Sequence, residues 1–322
     1  MQIGVAAQAQ GILAWMTKSV AIVGPGRVGR ALGRGFREAG WRITVVAGRT
    51  EAVAKRSAHF IGGGRPVVGL SATLFAASVI LLTVPDDAIA SVAADLAQNA
   101  EEDLCGKIVL HTSGALGSSL LLPLQFRGAA IASMHPMQSF SGIGVPPLEG
   151  RVFAIEGDEA AVRVARRLAR SVGGIPVGIR ASKKPLYHAA GGFAAGLCLA
   201  LEEGGARMLM TTGLKRREAV RALVSLTRQV LDNYENLGPQ KAWTGPLARG
   251  DFGVVAAHET ALSEMQPEFL NAYHATSCLA ACVLSNNSAA MLRELDRVSR
   301  NPDVAVPKPK GATSDSPANP NR

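Results

Sequence analysis

The chain has 322 residues, 48% of them hydrophobic, which is enough to bury a large core and to form two domains. Its net charge is +9, but the arginines are spread through helical stretches, as in Arg163, Arg166, Arg167 and Arg170 beside Asp158 and Glu159. No basic block with interleaved aromatics and no zinc-finger spacing occurs, so the positive field suits a phosphorylated cofactor or an anionic substrate, not nucleic acid. Cys105, Cys198, Cys278 and Cys282 form no Cys-x-x-Cys pair; Cys278 and Cys282 share a helix face and read as small buried hydrophobes. No uncharged apolar run reaches the ~18–20 residues of a membrane span, and no secretory signal is present. A soluble, cytoplasmic protein is expected.

In chain order, residues 1–17 read as a flexible extension, with Met16-Thr17-Lys18 resembling a natural start. Residues 18–180 alternate short apolar strands with helices. The strands fall at 20–23, 43–47, 67–69, 79–84, 108–111 and 131–134, with 152–156 and 175–179 flanking a helix over 159–172. These runs are continuously apolar, as in a parallel sheet covered on both faces. From 181 to 298 strand signals vanish, and helices are predicted over 189–212, 216–236, 254–263 and 268–285. Residues 299–322 are rich in Pro, Ser, Asn, Lys and Asp and are expected to be disordered. The fold class is therefore α/β: a doubly wound, mostly parallel Rossmann sheet followed by an all-α domain.

The first strand runs into Gly24-Pro25-Gly26-Arg27-Val28-Gly29. Gly24 permits the tight turn, Gly26 lets a pyrophosphate approach the backbone, and Gly29 lets the helix pack on the strand. The helix N-terminus then offers N–H groups to the phosphates. Dinucleotide sites that bind NAD place an acid at the end of the second strand. Here that end carries Arg49 and Thr50, which favours a 2′-phosphate and hence NADP(H), with a deazaflavin as the rival cofactor. Further cofactor contacts are expected from Thr83, Val84 and Pro85 after the fourth strand and from Ser113 after the fifth. Asp86 suits both the site and a helix cap.

Three segments carry candidate chemistry. His135 follows the sixth strand, with Gln138 beside it. Lys184 and His188 lie four apart at the start of a helix and project from one face. Arg249 sits in the Gly/Pro-shaped segment 243–251, where it suits a substrate carboxylate or phosphate; Asp251 also suits a helix cap. Lys184, His188 and His135 are the catalytic candidates, and Ser113, Gln138 and Arg249 the substrate-binding ones. No metal site is expected.

The stretches VAIVGPGRVG at 20–29, VPDDAI at 84–89, HTSGALG at 111–117, HPMQSF at 135–140, KPLYHAA at 184–190 and TGPLARGD at 244–251 carry a resemblance. With them the chain resembles bacterial proteins that join a Rossmann-like domain to a DUF2520 domain, relatives of pyrroline-5-carboxylate reductase and of the 6-phosphogluconate dehydrogenase superfamily. The resemblance implies an NADP-type Rossmann domain, a helical second domain and a homodimer formed through those helices. It names no substrate. The asparagine that related dehydrogenases place after this lysine falls here on Gly196. Two functions follow as expectations: an NADP(H)-dependent reductase of a C=O or C=N bond in a small anionic metabolite, and a non-catalytic NADP(H)-binding regulator.

Overall fold

A computed structural model describes residues 18–101 and 103–300. The expectations for residues 1–17 and 301–322 lie outside the described residues. Contacts divide the chain into two compact units between Leu197 and Cys198. The sequence placed that division at 180/181; the helix that follows stays with the sheet because Lys184 is buried in it, as set out below.

The N-terminal unit is an eight-stranded sheet in the order β3-β2-β1-β4-β5-β6-β7-β8. The strands are β1 (Ser19–Val23), β2 (Arg42–Gly48), β3 (Arg65–Val68), β4 (Val79–Leu82), β5 (Ile108–His111), β6 (Ala130–Pro136), β7 (Val152–Gly157) and β8 (Ile175–Gly178). The first six are parallel; β7 runs antiparallel to β6, and β8 parallel to β7. Helices α1 (Arg27–Glu38), α2 (Glu51–Ile61), α3 (Ile89–Gln98), α4 (Glu159–Ser171) and α5 (Lys184–Gly192) belong to this unit. Every residue of β1, β4 and β5 is buried, because helices cover both faces. Alternate strand residues feed two cores. One gathers Ile22, Leu32, Phe36 and Leu168; the other gathers Ala21, Ile80, Ile89 and Leu96.

The C-terminal unit is helical: α6 (Cys198–Thr211), α7 (Arg216–Leu237), α8 (Phe252–Ser263), α9 (Pro267–Leu284) and α10 (Ser288–Arg300). Ser299 and Arg300, expected in the tail, close α10. The helix predicted over 189–212 is two helices, because a π-turn at Phe193–Leu197 interrupts it. A smaller core of Val255, Ala256, Ala281, Leu295 and Val298 holds α8, α9 and α10 together.

Close approach of β1, α1 and β4 rests on Gly29. A Cβ there would lie 2.3 Å from Thr83 Oγ1. That hydroxyl is itself seated against the carbonyls of Val23 (3.1 Å) and Gly24 (2.7 Å). Gly29→Ala must push Thr83 out of this seat, and we expect it to destabilise the protein by roughly 1–3 kcal/mol in urea unfolding. A change below a few tenths of a kcal/mol would show that the junction yields freely.

Candidate active site

Because β1, β2, β4, β5 and β6 are parallel, their carboxyl ends share one edge of the sheet. Along it stand Gly24, Arg49, the turn from Thr83 to Asp86, Ser113 with Gly114, and His135. This is the edge at which open α/β sheets take ligands.

At the Gly24 end, α1 starts at the N-cap Gly26 with no side-chain cap and no acid in its first turn. Its first N–H groups and the positive end of its dipole are therefore left for an anion. Gly24 adopts φ +76°, and a Cβ there would strike Val84 Cγ1 at 2.5 Å; a Cβ on Gly26 would meet only Gly24 O, at 3.9 Å. Two glycines thus close the turn and one leaves an open cradle. Pro25 O accepts from the buried Ser57 hydroxyl at 3.2 Å, which fixes the loop's outer wall. Val28 packs on the core, while Arg27 and Arg49 are exposed. Thr50 Oγ1 accepts from Val53 N–H at 3.3 Å and caps α2, which leaves its own proton to donate outward. The nearest acid, Glu51, is paired with Lys55, whose ammonium holds the Glu51 carboxyl below its usual range. A free helix end, an open glycine and an unopposed guanidinium fit a pyrophosphate and a 2′-phosphate.

Toward His135, the hub is Ser113. Its hydroxyl donates to Asp86 Oδ2 (2.8 Å) and accepts from Leu116 N–H (3.0 Å) and Ala115 N–H (3.3 Å). Asp86 therefore joins the site and caps nothing; the N-cap of the 3₁₀ turn Asp86–Ala88 is Pro85. Lys184 is 0% exposed, and its ammonium donates to Ser113 O (2.9 Å) and Ser133 Oγ (2.5 Å). Burial lowers its pKa, against the opposing charges of Glu156 and Asp86. Glu156 is in turn held by Ser118 N–H (2.7 Å) and Ser118 Oγ (2.8 Å). The geometry makes Lys184 an anchor, with two of its three N–H groups placed on Ser113 and Ser133.

Three titratable rings, His135, Tyr187 and His188, stand beside that anchor. His135 Nδ1 lies 3.0 Å from Tyr187 Oη, with the rings edge-on at 5.5 Å, and the His188 ring is 5.9 Å away. Gly114 makes the room: a Cβ there would lie 2.7 Å from His188 Cδ2 and 2.8 Å from His135 Nε2. Burial, then the charges of Lys184 and His188, push His135 down to about 4, and burial pushes Tyr187 up to about 12. At neutral pH the pair is a neutral imidazole and a protonated phenol. His188 is exposed.

Two expected ligands are engaged elsewhere. Gln138 Nε2 donates to Pro147 O (2.8 Å) and its Oε1 accepts from Ser139 N–H (2.9 Å), so its amide holds the β6–β7 connection. Arg249, in the C-terminal unit, donates to Asp251 (2.9 Å), which occupies the N-cap position of α8 without a capping bond. Around Gly196 a Cβ would meet nothing within 4 Å. Tyr187, Ser133, Glu156 and His111 were not singled out from the sequence. Tyr187 had a usable signal, its position three after Lys184 on one helix. Among the described residues, no group of three His, Cys, Asp or Glu side chains is placed to hold a metal ion.

His111 locks the hub from below. It is fully buried; its Nδ1 accepts from Ser113 N–H (3.1 Å), so Nε2 carries the proton and donates to Gly117 O (3.0 Å). Burial, helped by Lys184, takes its pKa from 6.5 to about 4. Between these values the unfolded chain binds a proton that the folded chain refuses. The contribution of His111, roughly 3 kcal/mol, is therefore full above pH 6.5 and fades as pH falls toward 4. Urea midpoints measured from pH 7.5 to 4.5 should fall less steeply in His111→Gln than in the parent chain; equal slopes would sink this account.

The chain matches the model of a Rossmann-like domain over residues 7–136 and that of a domain of unknown function, DUF2520, over 151–280. No curated protein matches it by sequence. Solved structures of like fold include a protein of Bacteroides fragilis proposed to be an NADP oxidoreductase (19% identity, TM-score 0.65, 82% of this chain and 97% of that one). A Thermotoga maritima protein aligns at 24% identity (TM-score 0.62, 87% and 99%). A reductive aminase from Aspergillus terreus, solved with NADPH and ethyl-5-oxohexanoate, aligns at 18% (TM-score 0.56, 88% and 93%). At these identities the likeness is one of fold. With both domain models matched in order, the chain carries a Rossmann-like domain followed by a DUF2520 domain.

Proposed function

We propose that the protein is an NADP(H)-dependent oxidoreductase that reduces a C=O or C=N bond of a small anionic metabolite. The observation that carries this reading is the sharing of one sheet edge by the open glycine cradle and the His135–Tyr187–His188 cluster. The fold shared with NADPH-bound reductases supports it. Gly24, Pro25, Gly26, Arg27, Val28 and Gly29 would hold the pyrophosphate, Arg49 and Thr50 the 2′-phosphate, and Thr83, Val84, Pro85 and Ser113 the remainder of the cofactor. Arg49 favours NADP(H) over a deazaflavin. When bound, the nicotinamide supplies the hydride.

The chain supplies the proton. His188, exposed over Gly114, is placed to give it, and Tyr187 with His135 to orient the acceptor and relay the replacement proton. Lys184 acts through Ser113 and Ser133 as a positioning group. The anionic character of the substrate rests on the net charge of +9. Homodimerisation through the helical unit is supported by exposed Leu226, Leu231, Tyr234 and Leu237 along α7. No described helix is long and apolar enough to cross a membrane, consistent with a cytoplasmic site of action. A non-catalytic NADP(H)-binding regulator is the second reading, favoured by Gly196 and by the burial of Lys184 on Ser113 and Ser133.

Titration calorimetry should show NADPH binding more tightly than NADH, with Arg49→Ala weakening NADPH by about tenfold or more and leaving NADH nearly unchanged. Against a panel of keto acids and cyclic imines, His188→Ala or Tyr187→Phe should lower kcat by about a hundredfold with NADPH affinity intact. Tight NADPH binding without turnover of any panel member would favour the regulator.

A further inference from the structure

The helical unit carries a second ordered set of reactive side chains. Glu259 on α8 is buried (5% exposed) beside Val255 and Ala256, and its Oε1 lies 3.0 Å from His274 Nδ1 on α9. A carboxylate only accepts, so Nδ1 carries the proton and Nε2 presents its lone pair. That Nε2 faces Cys278 Sγ at 3.6 Å, the i,i+4 spacing having put both on one helix face. A neighbouring rung, His258 Nδ1 to Tyr273 Oη at 2.8 Å, joins the same two helices and fixes their register. Nucleophile, base and orienting acid thus stand in sequence, the arrangement that activates a weak nucleophile.

We infer that Cys278, His274 and Glu259 form a base-assisted thiol site whose reaction partners are low-molecular-weight disulfides. Burial, with Cys282 and Glu259 behind it, pushes the Cys278 thiol up, so it rests as S–H and needs the base. Acyl transfer does not fit, because the backbone N–H groups around a mid-helix cysteine are spent in the helix and leave no oxyanion hole. Attack on a disulfide needs none, since its charge leaves on sulfur. The Cys278 proton passes to His274 Nε2, and the imidazolium is stabilised by Glu259. The thiolate attacks one sulfur of R–S–S–R, the S–S bond breaks as the Cys278–S–S–R bond forms, and the departing thiolate takes the proton from His274 to leave as R–SH. Cys278 is oxidised and the small disulfide reduced.

The test uses the full chain and dithiobis(nitrobenzoate) at pH 7, with labelling of each cysteine followed by peptide mass. His274→Gln should slow Cys278 by about tenfold or more, while Cys105 and Cys282, exposed in the same molecules, keep their rates and so separate a loss at Cys278 from a change in the reagent. An unchanged urea midpoint shows that the fold is intact. In the unmutated protein, the Cys278 rate should level off with rising pH before the thiol range is reached. An unchanged Cys278 rate in His274→Gln, a rate that climbs steadily into the thiol range, or labelling of Cys282 with none at Cys278 would each overturn the proposal.

Discussion

Everything at the carboxyl edge depends on one buried ammonium. Moving a lysine into a protein interior costs several kcal/mol unless its donors are met and its charge is balanced. Lys184 meets these terms with Ser113 O and Ser133 Oγ as acceptors and with Glu156 and Asp86 as the nearby opposing charges. The consequence is mechanical. One side chain from the first turn of α5 ties the ends of β5 and β6 together and sets where Tyr187 and His188 stand. It also explains why contacts keep residues 184–197 with the sheet, whereas hydrophobic periodicity placed the boundary at the last strand.

The same charge shapes the protonation of its neighbours. Burial first, and the neighbouring ammonium after it, push His111 and His135 each to about 4 and keep both imidazoles neutral. A neutral His135 accepts from, or donates to, the Tyr187 hydroxyl, whose own ionisation burial has moved out of the working range. His188 stands exposed beside them. The edge therefore separates a rigid, neutral interior pair from a solvent-facing group, a division suited to orienting one proton and delivering another.

Much of this was legible in the sequence, for identifiable reasons. Parallel strands buried on both faces are continuous apolar runs, and seven of the eight segments needed only small changes at their ends. The edge of β3 was less clear, since Arg65 and Pro66 are polar or ladder-poor but still pair with Val45 and Val46. The glycine loop was readable because its demands are local: a positive φ, a close approach and an open cradle within six residues. Ser133, Glu156 and His111 were not readable. Each is a lone polar residue in an apolar strand: Glu156 and Ser133 take their meaning from Ser118 and Lys184, 38 and 51 residues away, and His111 from a turn that folds Gly117 back onto it. Asp86 and Asp251 show the same limit. Both occupied plausible cap positions, and both side chains turned instead to other side chains, the Ser113 hydroxyl and the Arg249 guanidinium.

Glycine does opposite work at the two ends of the edge, and the contrast bears on how the site tolerates change. At Gly29 and Gly24 the missing Cβ is replaced by protein: Thr83 and Val84 fill the space, so any side chain strains the fold before it reaches a ligand. At Gly26 the space is left empty, so a side chain would fold without strain and obstruct only what binds there. Gly114 is intermediate. The space it vacates is taken by the imidazoles of His135 and His188, side chains and not backbone. Substitution at Gly114 would therefore spare the sheet and displace the proton-handling groups, so at this edge the residues that define stability and those that define chemistry are separable within a few ångströms.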